Sequence, residues 1–156
     1  MMALFRKADL EDFDAILPLK NEVHQKHVQA EPDFYRNLQN AITKEEYAQE
    51  LQMHEVYVLE DNNKIIGYSF CYVMEIKDHP LILNQKIFFI DDYCVARREK
   101  RKGYGRAMFE ELEKLAKAQG CTSIELNVWD FNEEAKTFYK SMQMRRTRIR
   151  MQKALG

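Results

Sequence analysis

The chain has 156 residues, of which 46% are hydrophobic, and this length and content suit one domain, residues 1–156, that buries a full core. Its formal net charge is −1 at pH 7, so the overall balance favours neither a nucleic-acid-binding protein nor a membrane-surface protein. No apolar run approaches the roughly 18 residues of a membrane-spanning helix, and no charged-then-apolar signal pattern opens the chain, so we expect a cytoplasmic protein.

The first third of the chain is predicted to contain one strand and three helical segments. A strand is expected at 3–7, and Asp9 is a candidate N-cap for the helical region that follows it. Pro18 lies inside that region and is expected to kink or restart the helix. A short helix is predicted at 32–38, and a capping-box signature that begins at Thr43 predicts a further helix.

The remainder of the chain reads as a series of strands that is later interrupted by two helices. A polar turn at 61–64 joins the first two strands into a hairpin. The predicted strands lie at 56–60, 65–76, 86–95, 123–128 and 145–152. Of the two predicted helices, the first begins at Arg106 and the second spans 133–142. Antiparallel strands followed by a strand–helix–strand crossover predict an α+β fold, a mixed domain with three layers.

A glycine-containing loop between a strand and a helix is the most informative segment. Gly103 and Gly105 let the backbone approach a ligand, and the following helix N-terminus offers unpaired N–H groups and a positive dipole. Six cations in ten residues, opposed only by Glu99, suit a polyanion such as a pyrophosphate; they are Arg97, Arg98, Lys100, Arg101, Lys102 and Arg106. The loop is neither GxGxxG, since position 108 is Met, nor a P-loop, so dinucleotides and nucleoside triphosphates fit it poorly. A solvated basic loop is the simpler alternative.

Two motifs resemble those of the GNAT superfamily of acetyl-coenzyme A-dependent N-acetyltransferases, and the resemblance extends over essentially the whole length. The cofactor-loop signature, [Arg or Gln]-x-x-Gly-x-[Gly or Ala] after a strand-ending Val, is matched by Val95, Lys100, Gly103 and Gly105, with Lys100 in place of Arg or Gln. The second signature, Asn-x-x-Ala-x-x-Phe-Tyr, is matched by Asn132, Ala135, Phe138 and Tyr139. Gln143 and Met144 replace the Gly-Phe that usually follows, so Gln143 either holds a strained φ or the helix closes differently.

The resemblance implies the family's fold, with a central and mostly antiparallel sheet, and acetyl-coenzyme A as the co-substrate. It also implies which residues contact that co-substrate. These are Cys94, Val95, Lys100, Arg101, Lys102, Gly103, Tyr104, Gly105, Arg106 and Asn132. The backbone N–H of Val95 would stabilise the carbonyl oxygen, and Asn132 would contact the pantetheine arm, although helix capping alone is equally compatible with its position.

Acetyl transfer to an amine needs a base, because an amine with a pKa near ~10.4 is protonated at neutral pH. Asp91 and Asp92 interrupt an apolar strand just before the acetyl-binding segment, and strand alternation predicts that they point to opposite faces. In similar enzymes, an acidic residue four positions before the strand-ending Val lies near the acceptor amine. In this chain that position is Asp91, so the resemblance favours Asp91 as the base. The simpler alternative is that both are ordinary polar residues at a bulge.

The leaving thiolate needs an acid, and the resemblance implies Tyr139 in that role. Its alternative is a packing role beside Phe138. Cys94 adjoins Val95 and makes an acetyl-cysteine route conceivable, but no adjacent His would activate it, so direct transfer in a ternary complex is preferred. A non-catalytic acyl-coenzyme A sensor or interaction module is the main alternative function.

The sequence says less about partners and metals. Aromatic and acidic residues of the first helices suit a cationic acceptor, either a small molecule or a peptide amine, and similar proteins are often homodimers. His24 and His27 have the spacing of a helical ligand pair but no third ligand in a recognisable motif, so no metal is expected. The cysteines are odd in number and widely spaced, which predicts reduced core thiols.

Overall fold

A computed structural model describes residues 3–156 as a five-stranded sheet with helices on both faces. Two short 3-10 turns, Leu10–Asp12 and Arg97–Glu99, lie between the main elements. The strands are β1 (Leu4–Lys7), β2 (Glu55–Asp61), β3 (Lys64–Ile76), β4 (Gln85–Val95) and β5 (Ser123–Leu126). The helices are α1 (Phe13–Ala30), α2 (Lys44–Met53), α3 (Tyr104–Ala118) and α4 (Glu133–Ser141).

The strands follow one another across the sheet in chain order. Neighbouring strands from β1 to β4 are antiparallel, and β5 joins β4 in parallel through the crossover helix α3. This arrangement confirms the predicted α+β fold and its mostly antiparallel sheet. The hairpin of β2 and β3 turns at Asn62 and Asn63, which both have a positive φ, as two-residue hairpin turns require.

Strand alternation divides the core into two layers. On one face, Tyr68 and Phe70 of β3 pack with Ile16 of α1 and Tyr47 of α2. On the other face, Phe88 and Ile90 of β4 pack with Phe109 and Leu112 of α3 and with Met142, which follows α4. Cys71 and Cys94 are buried free thiols, one in each layer, as predicted, and Cys121 is partly exposed.

Local capping signals place the helix starts. Asp9 accepts a hydrogen bond from the Glu11 amide and caps the 3-10 turn that leads into α1. Thr43 and Glu46 form the predicted capping box of α2. Of the two outcomes expected at Pro18, a kink or a restart, the restart is wrong, because α1 continues through this residue. Proline removes only one backbone bond there, and buried side chains on both sides hold the helix to the sheet.

Residues 32–38 form a turn rather than the predicted helix. The amides of Phe34 and Tyr35 both donate to the Glu31 carbonyl, and no helical turn continues from them. The two rings pack on each other and on Trp129, nearly a hundred residues along the chain. Tertiary packing of the aromatic rings therefore outweighs the weak helical pattern of this stretch.

The predicted final strand at 145–152 is also wrong for the single chain. Residues 145–156, called here the C-terminal segment, have no assigned secondary structure and every one of them is exposed. Alternation of Arg with Thr, Ile and Met predicts a strand, but a strand also needs a neighbour.

Within residues 3–156, no helix is both long and apolar enough to cross a membrane.

Candidate active site

The sheet opens between β4 and β5. These strands pair only from Ile87 to Ile90 on β4, opposite Ser123 to Leu126 on β5. Beyond Ile90, β4 continues to Val95 while pairing with β3 on its other side. The β4 edge from Asp91 to Val95 that faces away from β3 is called here the open edge. Backbone groups on this edge are available to a ligand.

The backbone amide of Val95 lies on the open edge. Its neighbour Ala96 donates its amide to the Ile66 carbonyl at 2.7 Å, toward β3. Successive amides of an antiparallel strand point to opposite edges, so the Val95 N–H points away from β3. A carbonyl oxygen bound beside β4 would find this donor.

A β-bulge at Asp91 changes the predicted direction of the two carboxylates. Phe70 pairs with Asp92 and Cys71 pairs with Ile90, which leaves Asp91 as the extra residue. The bulge interrupts alternation, so the expectation that Asp91 and Asp92 point to opposite faces is wrong. Both carboxylates interact with groups of the α1 and α2 layer.

Asp92 is held by two partners from that layer. Its Oδ2 accepts hydrogen bonds from Lys20 Nζ at 2.7 Å and from the Tyr68 hydroxyl at 3.0 Å. Lys20 also lies over the Phe70 ring, 4.8 Å from its centroid. Burial, followed by the Asp92 charge, raises the pKa of Tyr68 well above its usual range, so this phenol stays a donor.

Asp91 lies in a more negative environment. Asp91 is exposed, but desolvation by the protein around it raises the pKa of its carboxyl, and the charges of Asp92 and Glu50 raise it further. Lys20 and His54 act in the opposite direction with smaller effect. Asp91 therefore binds a proton more readily than an ordinary aspartate, which suits a group that accepts one.

Tyr139 reaches the same region from α4. Its ring packs against Tyr93 of β4 and Phe109 of α3, with centroids 6.2 and 6.4 Å apart. Burial raises the pKa of the Tyr139 phenol, and the negative charge of Asp92 raises it further. The hydroxyl therefore keeps its proton at neutral pH and is able to donate it.

The glycine loop leads directly into α3. Gly103 has a φ of 85° and is the N-cap residue, with its carbonyl accepting the Ala107 amide at 3.0 Å. Arg101 also has a positive φ, 68°, which no sequence signal indicated. The first-turn amides of α3 and the positive end of its dipole lie just beyond the open edge of β4.

Gly105 has a packing role that the sequence analysis did not predict. A Cβ at this position would lie 3.3 Å from Cε1 of Phe138 and 3.8 Å from a methyl of Val95. The Tyr93 hydroxyl donates to the Gly105 carbonyl. Gly105 therefore lets α3 approach α4 and β4 closely, in addition to any contact with a ligand.

The basic residues of the loop form ion pairs with Glu99 and with other acidic residues. Lys100 forms an ion pair with Glu134 of α4, which lowers the pKa of that carboxyl. Lys102 pairs with Glu99 at 2.9 Å, and Arg106 lies 4.0 Å from Glu110. Glu99 is the one acidic residue within the stretch 97–106, and α3 and α4 bring further carboxylates to the cluster from outside it.

Other predicted cofactor residues take structural partners. Tyr104 is buried against Leu59 and Ile66, with its hydroxyl donating to Asp61, so only its backbone faces the loop. Asn132 caps α4 by accepting the Ala135 amide at 3.1 Å, and Lys26 Nζ lies 3.4 Å from the same oxygen.

The Cys94 side chain points away from the open edge. Its Sγ lies 3.9 Å from the Leu19 carbonyl, in the α1 and α2 layer. Burial raises the pKa of the thiol to about 12. A protonated thiol is a poor nucleophile, so this environment does not favour an acetyl-cysteine intermediate.

An aromatic cluster that the sequence analysis only partly anticipated covers one side of this region. His27 stacks on Tyr35 with centroids 5.1 Å apart, and Trp129 Nε1 donates to the Tyr35 hydroxyl at 2.8 Å. Phe131 meets the His27 ring edge to face. Burial lowers the pKa of His27, so its imidazole is neutral at pH 7. Trp129 and Phe131 carried no motif that would have singled them out.

The two helical histidines both contact the Tyr35 ring, His24 by its edge and His27 by stacking. His24 Nε2 lies 2.7 Å from the Arg36 carbonyl, and His27 takes part in the aromatic cluster. Within residues 3–156, no group of three or more His, Cys, Asp or Glu side chains is arranged to hold a metal ion.

Comparison with known proteins identifies relatives of the chain by sequence and by fold. Residues 15–143 match the model of the Acetyltransferase (GNAT) family. A solved structure of the BH1408 protein from Bacillus halodurans, a tetramutant, is 31% identical, with a TM-score of 0.94 over 97% of this chain and 99% of that one. No curated protein matches the chain significantly.

More distant structures share the fold. Glucosamine-6-phosphate N-acetyltransferase from Arabidopsis thaliana is 20% identical, with a TM-score of 0.68 over 100% of both chains. An acetyltransferase from Trypanosoma brucei is 17% identical, with a TM-score of 0.66 over 99% of this chain and 100% of that one.

Proposed function

Since the chain belongs to the Acetyltransferase (GNAT) family, we propose that it transfers an acetyl group from acetyl-coenzyme A to a primary amine, by direct attack in a ternary complex. The observation that carries the proposal is the open edge of β4. It presents a backbone donor at Val95 next to the N-terminus of α3, with two carboxylates on the face of the sheet that packs on α1 and α2, and a protonated tyrosine on the face that packs on α3 and α4.

The co-substrate would lie along the open edge. Its pyrophosphate suits the loop before α3, where Gly103 and the first-turn amides provide donors and the dipole favours negative charge. Lys100, Arg101, Lys102 and Arg106 supply the compensating charge. Because acidic residues hold some of these cations, backbone amides contribute the most dependable contacts with the phosphates.

The acceptor amine must lose a proton before it attacks, and we assign that proton to Asp91, directly or through water. Asp91 has a raised pKa. Asp92 is already paired with Lys20, so it is better suited to holding Lys20 and Tyr68 in place and to adding negative charge. An aminium ion would be attracted to this pair of carboxylates before it loses its proton.

Asp91 passes its proton on to solvent, and the amine nitrogen forms a bond to the thioester carbon, so that the carbonyl oxygen becomes negative and the nitrogen positive. The nitrogen then releases its second proton to solvent, which leaves a neutral amide nitrogen. The Val95 N–H would stabilise the negative oxygen. When the carbon–sulfur bond breaks, the electron pair leaves with sulfur, and Tyr139 donates its proton to the thiolate. Solvent returns a proton to Tyr139 afterwards. The buried, protonated thiol of Cys94 supports direct transfer over an acetyl-cysteine route.

Binding and turnover test the proposal separately. Calorimetry with acetyl-coenzyme A and coenzyme A should detect micromolar binding, and thiol release should follow addition of an acceptor from a panel of polyamines, amino acids, aminoglycosides and peptides. Binding without release from any amine would favour the alternative, a non-catalytic acyl-coenzyme A sensor. Absence of binding would overturn the whole proposal.

A further inference from the structure

An ion pair joins the two sides of the opening between β4 and β5. These strands are parallel, so their carboxyl ends lie at the same edge of the sheet. From that edge the chain continues into the glycine loop after β4 and into residues 127–132 after β5. Lys100 of the loop pairs with Glu134 in the first turn of α4. The pair therefore links two elements between which the co-substrate would lie.

Neighbouring cations of the loop have partners close to them in sequence. Lys102 pairs with Glu99 of the same loop at 2.9 Å, and Arg106 lies 4.0 Å from Glu110 of the same helix. A ligand in the opening would leave both of these pairs on one side of it. The Lys100 to Glu134 pair differs because its two members come from opposite sides.

Glu134 places a negative charge beside a cation that the phosphates of coenzyme A would need. The hydrogen bond from Lys100 lowers the pKa of the Glu134 carboxyl and outweighs its desolvation, so the group is ionised at neutral pH. Like charges repel, and the carboxylate therefore opposes the approach of a polyanion to Lys100.

The ion pair is exposed enough to be exchanged for another. Lys100 is 42% exposed and Glu134 is 65% exposed. Pairs this exposed contribute little to stability, because water and salt screen the two charges. A pyrophosphate held by the loop amides would offer Lys100 several negative oxygens at once, which is a stronger contact than a single exposed carboxylate.

The chemistry of lysine suits such an exchange. Its charge is compact and lies at the end of a flexible aliphatic stem, so the Lys100 amine is able to change partner while the loop backbone stays in place. An arginine would hold a carboxylate through two parallel hydrogen bonds and would release it less readily.

We propose that Glu134 competes with coenzyme A for Lys100, and that the bound pyrophosphate replaces Glu134 as the partner of this amine. Glu134 then repels the phosphates, so it lowers the affinity for acetyl-coenzyme A and for coenzyme A alike. When coenzyme A departs, Glu134 takes Lys100 back, which favours release of the product. Glu134 is a positioning residue, since it acts through Lys100. This inference rests on the proposed function, which places the pyrophosphate at the glycine loop.

Calorimetric titration with coenzyme A tests the competition. Glu134→Gln should lower the Kd for coenzyme A by roughly 3- to 10-fold, because the Lys100 amine is freed and a repelling charge is removed. The midpoint of urea unfolding should change little, since the pair is exposed. A merely structural role of Glu134 would weaken binding or leave it unchanged, and either result overturns the proposal.

Glu133→Gln is the matched control. It removes the same charge from the preceding position, but Glu133 pairs with Lys136 of the same helix at 2.8 Å. The Kd for coenzyme A should therefore change by less than about 2-fold. An equal gain in affinity from both substitutions would mean that negative charge alone sets the affinity, and the competition would be wrong.

A double-substitution cycle tests whether Glu134 acts through Lys100. In a Lys100→Gln background, adding Glu134→Gln should change the Kd for coenzyme A by less than about 2-fold, because no amine is left to be freed. A gain as large as in the unsubstituted protein would show that Glu134 acts independently of Lys100, which overturns the proposal.

Salt dependence gives a second readout that a structural role would not change. The unsubstituted protein exchanges one ion pair for another on binding, whereas Glu134→Gln forms a pair without breaking one. The Kd of Glu134→Gln should therefore rise more steeply with salt concentration. Equal salt dependence in the two proteins would contradict the exchange.

The titrations also separate this inference from the proposed function. If the unsubstituted protein does not bind coenzyme A, both are wrong. If it binds coenzyme A but Glu134→Gln does not tighten binding, the proposed function stands and only the competition for Lys100 is wrong.

Discussion

Tyr139 and Asp92 are coupled through the negative charge of the carboxylate, although they come from different elements. This charge and burial both raise the pKa of the phenol, so Tyr139 resists ionisation. Lys20 neutralises part of the same carboxylate from α1. A group that must donate a proton to a thiolate benefits from an environment that keeps it protonated until the thiolate forms.

Replacing Tyr139 with Phe should lower kcat by roughly 10²- to 10⁴-fold, the usual range for one acid catalyst. The ring stays, so packing against Tyr93 and Phe109 is preserved and acetyl-coenzyme A should bind with wild-type affinity. Thiol release and calorimetry measure the two quantities. Unchanged turnover would reject Tyr139 as the acid.

Replacing Asp91 with Asn should lower activity but raise the free energy of unfolding slightly. We expect kcat/KM to fall by roughly 10²- to 10⁴-fold and the acidic limb of its pH profile to disappear, since that limb reports the base. Stability should rise slightly at neutral pH. A raised pKa means that the folded state disfavours the ionised carboxylate, a penalty that is absent below the unfolded pKa of about 3.9 and present above it.

Thermal unfolding at pH 7 and steady-state kinetics from acidic to neutral pH measure these effects. Asp92→Asn is the matched control. It removes the ion pair to Lys20 and should lower stability instead. A retained acidic limb in Asp91→Asn would assign the base elsewhere.

At the scale of elements, two helices end in the same hydrogen-bonded motif with different residues. After α3, Gly120 has a φ of 77°, and after α4, Gln143 has a φ of 70°. In both, the amide of the positive-φ residue and the amide of the residue after it donate to carbonyls of the last turn. Glycine adopts this conformation freely, whereas a side chain is strained by it.

Gln143→Gly should therefore stabilise the protein by about 1 kcal/mol, and Gly120→Ala should destabilise it by about the same amount. A Cβ at position 120 would meet no atom within 4 Å, so its effect reports backbone conformation alone. Gln143→Ala is the control and should change stability little, because alanine retains the Cβ. Urea unfolding measures all three, and a destabilised Gln143→Gly would contradict the prediction.

Elements with local signals were predictable from sequence, and elements that depend on distant partners were not. The capping box at Thr43 and the turn at Asn62 and Asn63 involve neighbours only, and both were located correctly. The strained φ at Gln143 was one of two predicted outcomes. The turn at 32–38 depends on Trp129, and residues 145–152 pair with none of the five strands although their alternation is that of a strand.

The candidate site also has parts that local sequence motifs predict and parts that depend on distant residues. The glycine loop and the helix carrying Tyr139 follow from two short motifs, and the structure brings both to the open edge of β4. The bulge at Asp91 is a property of strand pairing, which single-strand alternation cannot reveal. The Lys20 to Asp92 and Lys100 to Glu134 pairs join residues that are 72 and 34 positions apart, beyond any local pattern.

At the scale of the whole molecule, a charged cluster ties the N-terminal elements together. Arg6 of β1 donates two hydrogen bonds of 2.8 Å to the buried Asp12, and it also binds Glu60 of β2. The hydrogen bonds from Arg6 lower the pKa of Asp12 and outweigh its burial. The cluster therefore links the sheet edge to the start of α1.

Its contribution to stability should depend on pH with a defined sign. A lowered carboxyl pKa stabilises the fold above the unfolded value of about 3.9, and that contribution is lost as the pH falls through the folded value. Asp12→Asn should destabilise the protein by about 1–3 kcal/mol at pH 7, and by less as the pH falls below about 3.9.

Urea unfolding at pH 7 and at a pH below about 3.9 measures the difference in the free energy of unfolding between Asp12→Asn and the unsubstituted protein. Asp33→Asn is the control, since Asp33 is exposed in a turn and its substitution should change stability little at either pH. An Asp12→Asn effect that is independent of pH would mean that the carboxylate charge has no part in it.

The open edge of β4 has a consequence for amide hydrogen exchange in the free protein. The amides of Val95 and Ala96 are adjacent, but only that of Ala96 is bonded across the sheet to Ile66. Deuterium should therefore replace the Val95 proton much faster than the Ala96 proton. Binding of an acetyl thioester should slow exchange at Val95 and leave exchange at Ala96 unchanged. These two adjacent amides would then distinguish the open edge, where the thioester binds, from the side of the chain that is bonded to β3.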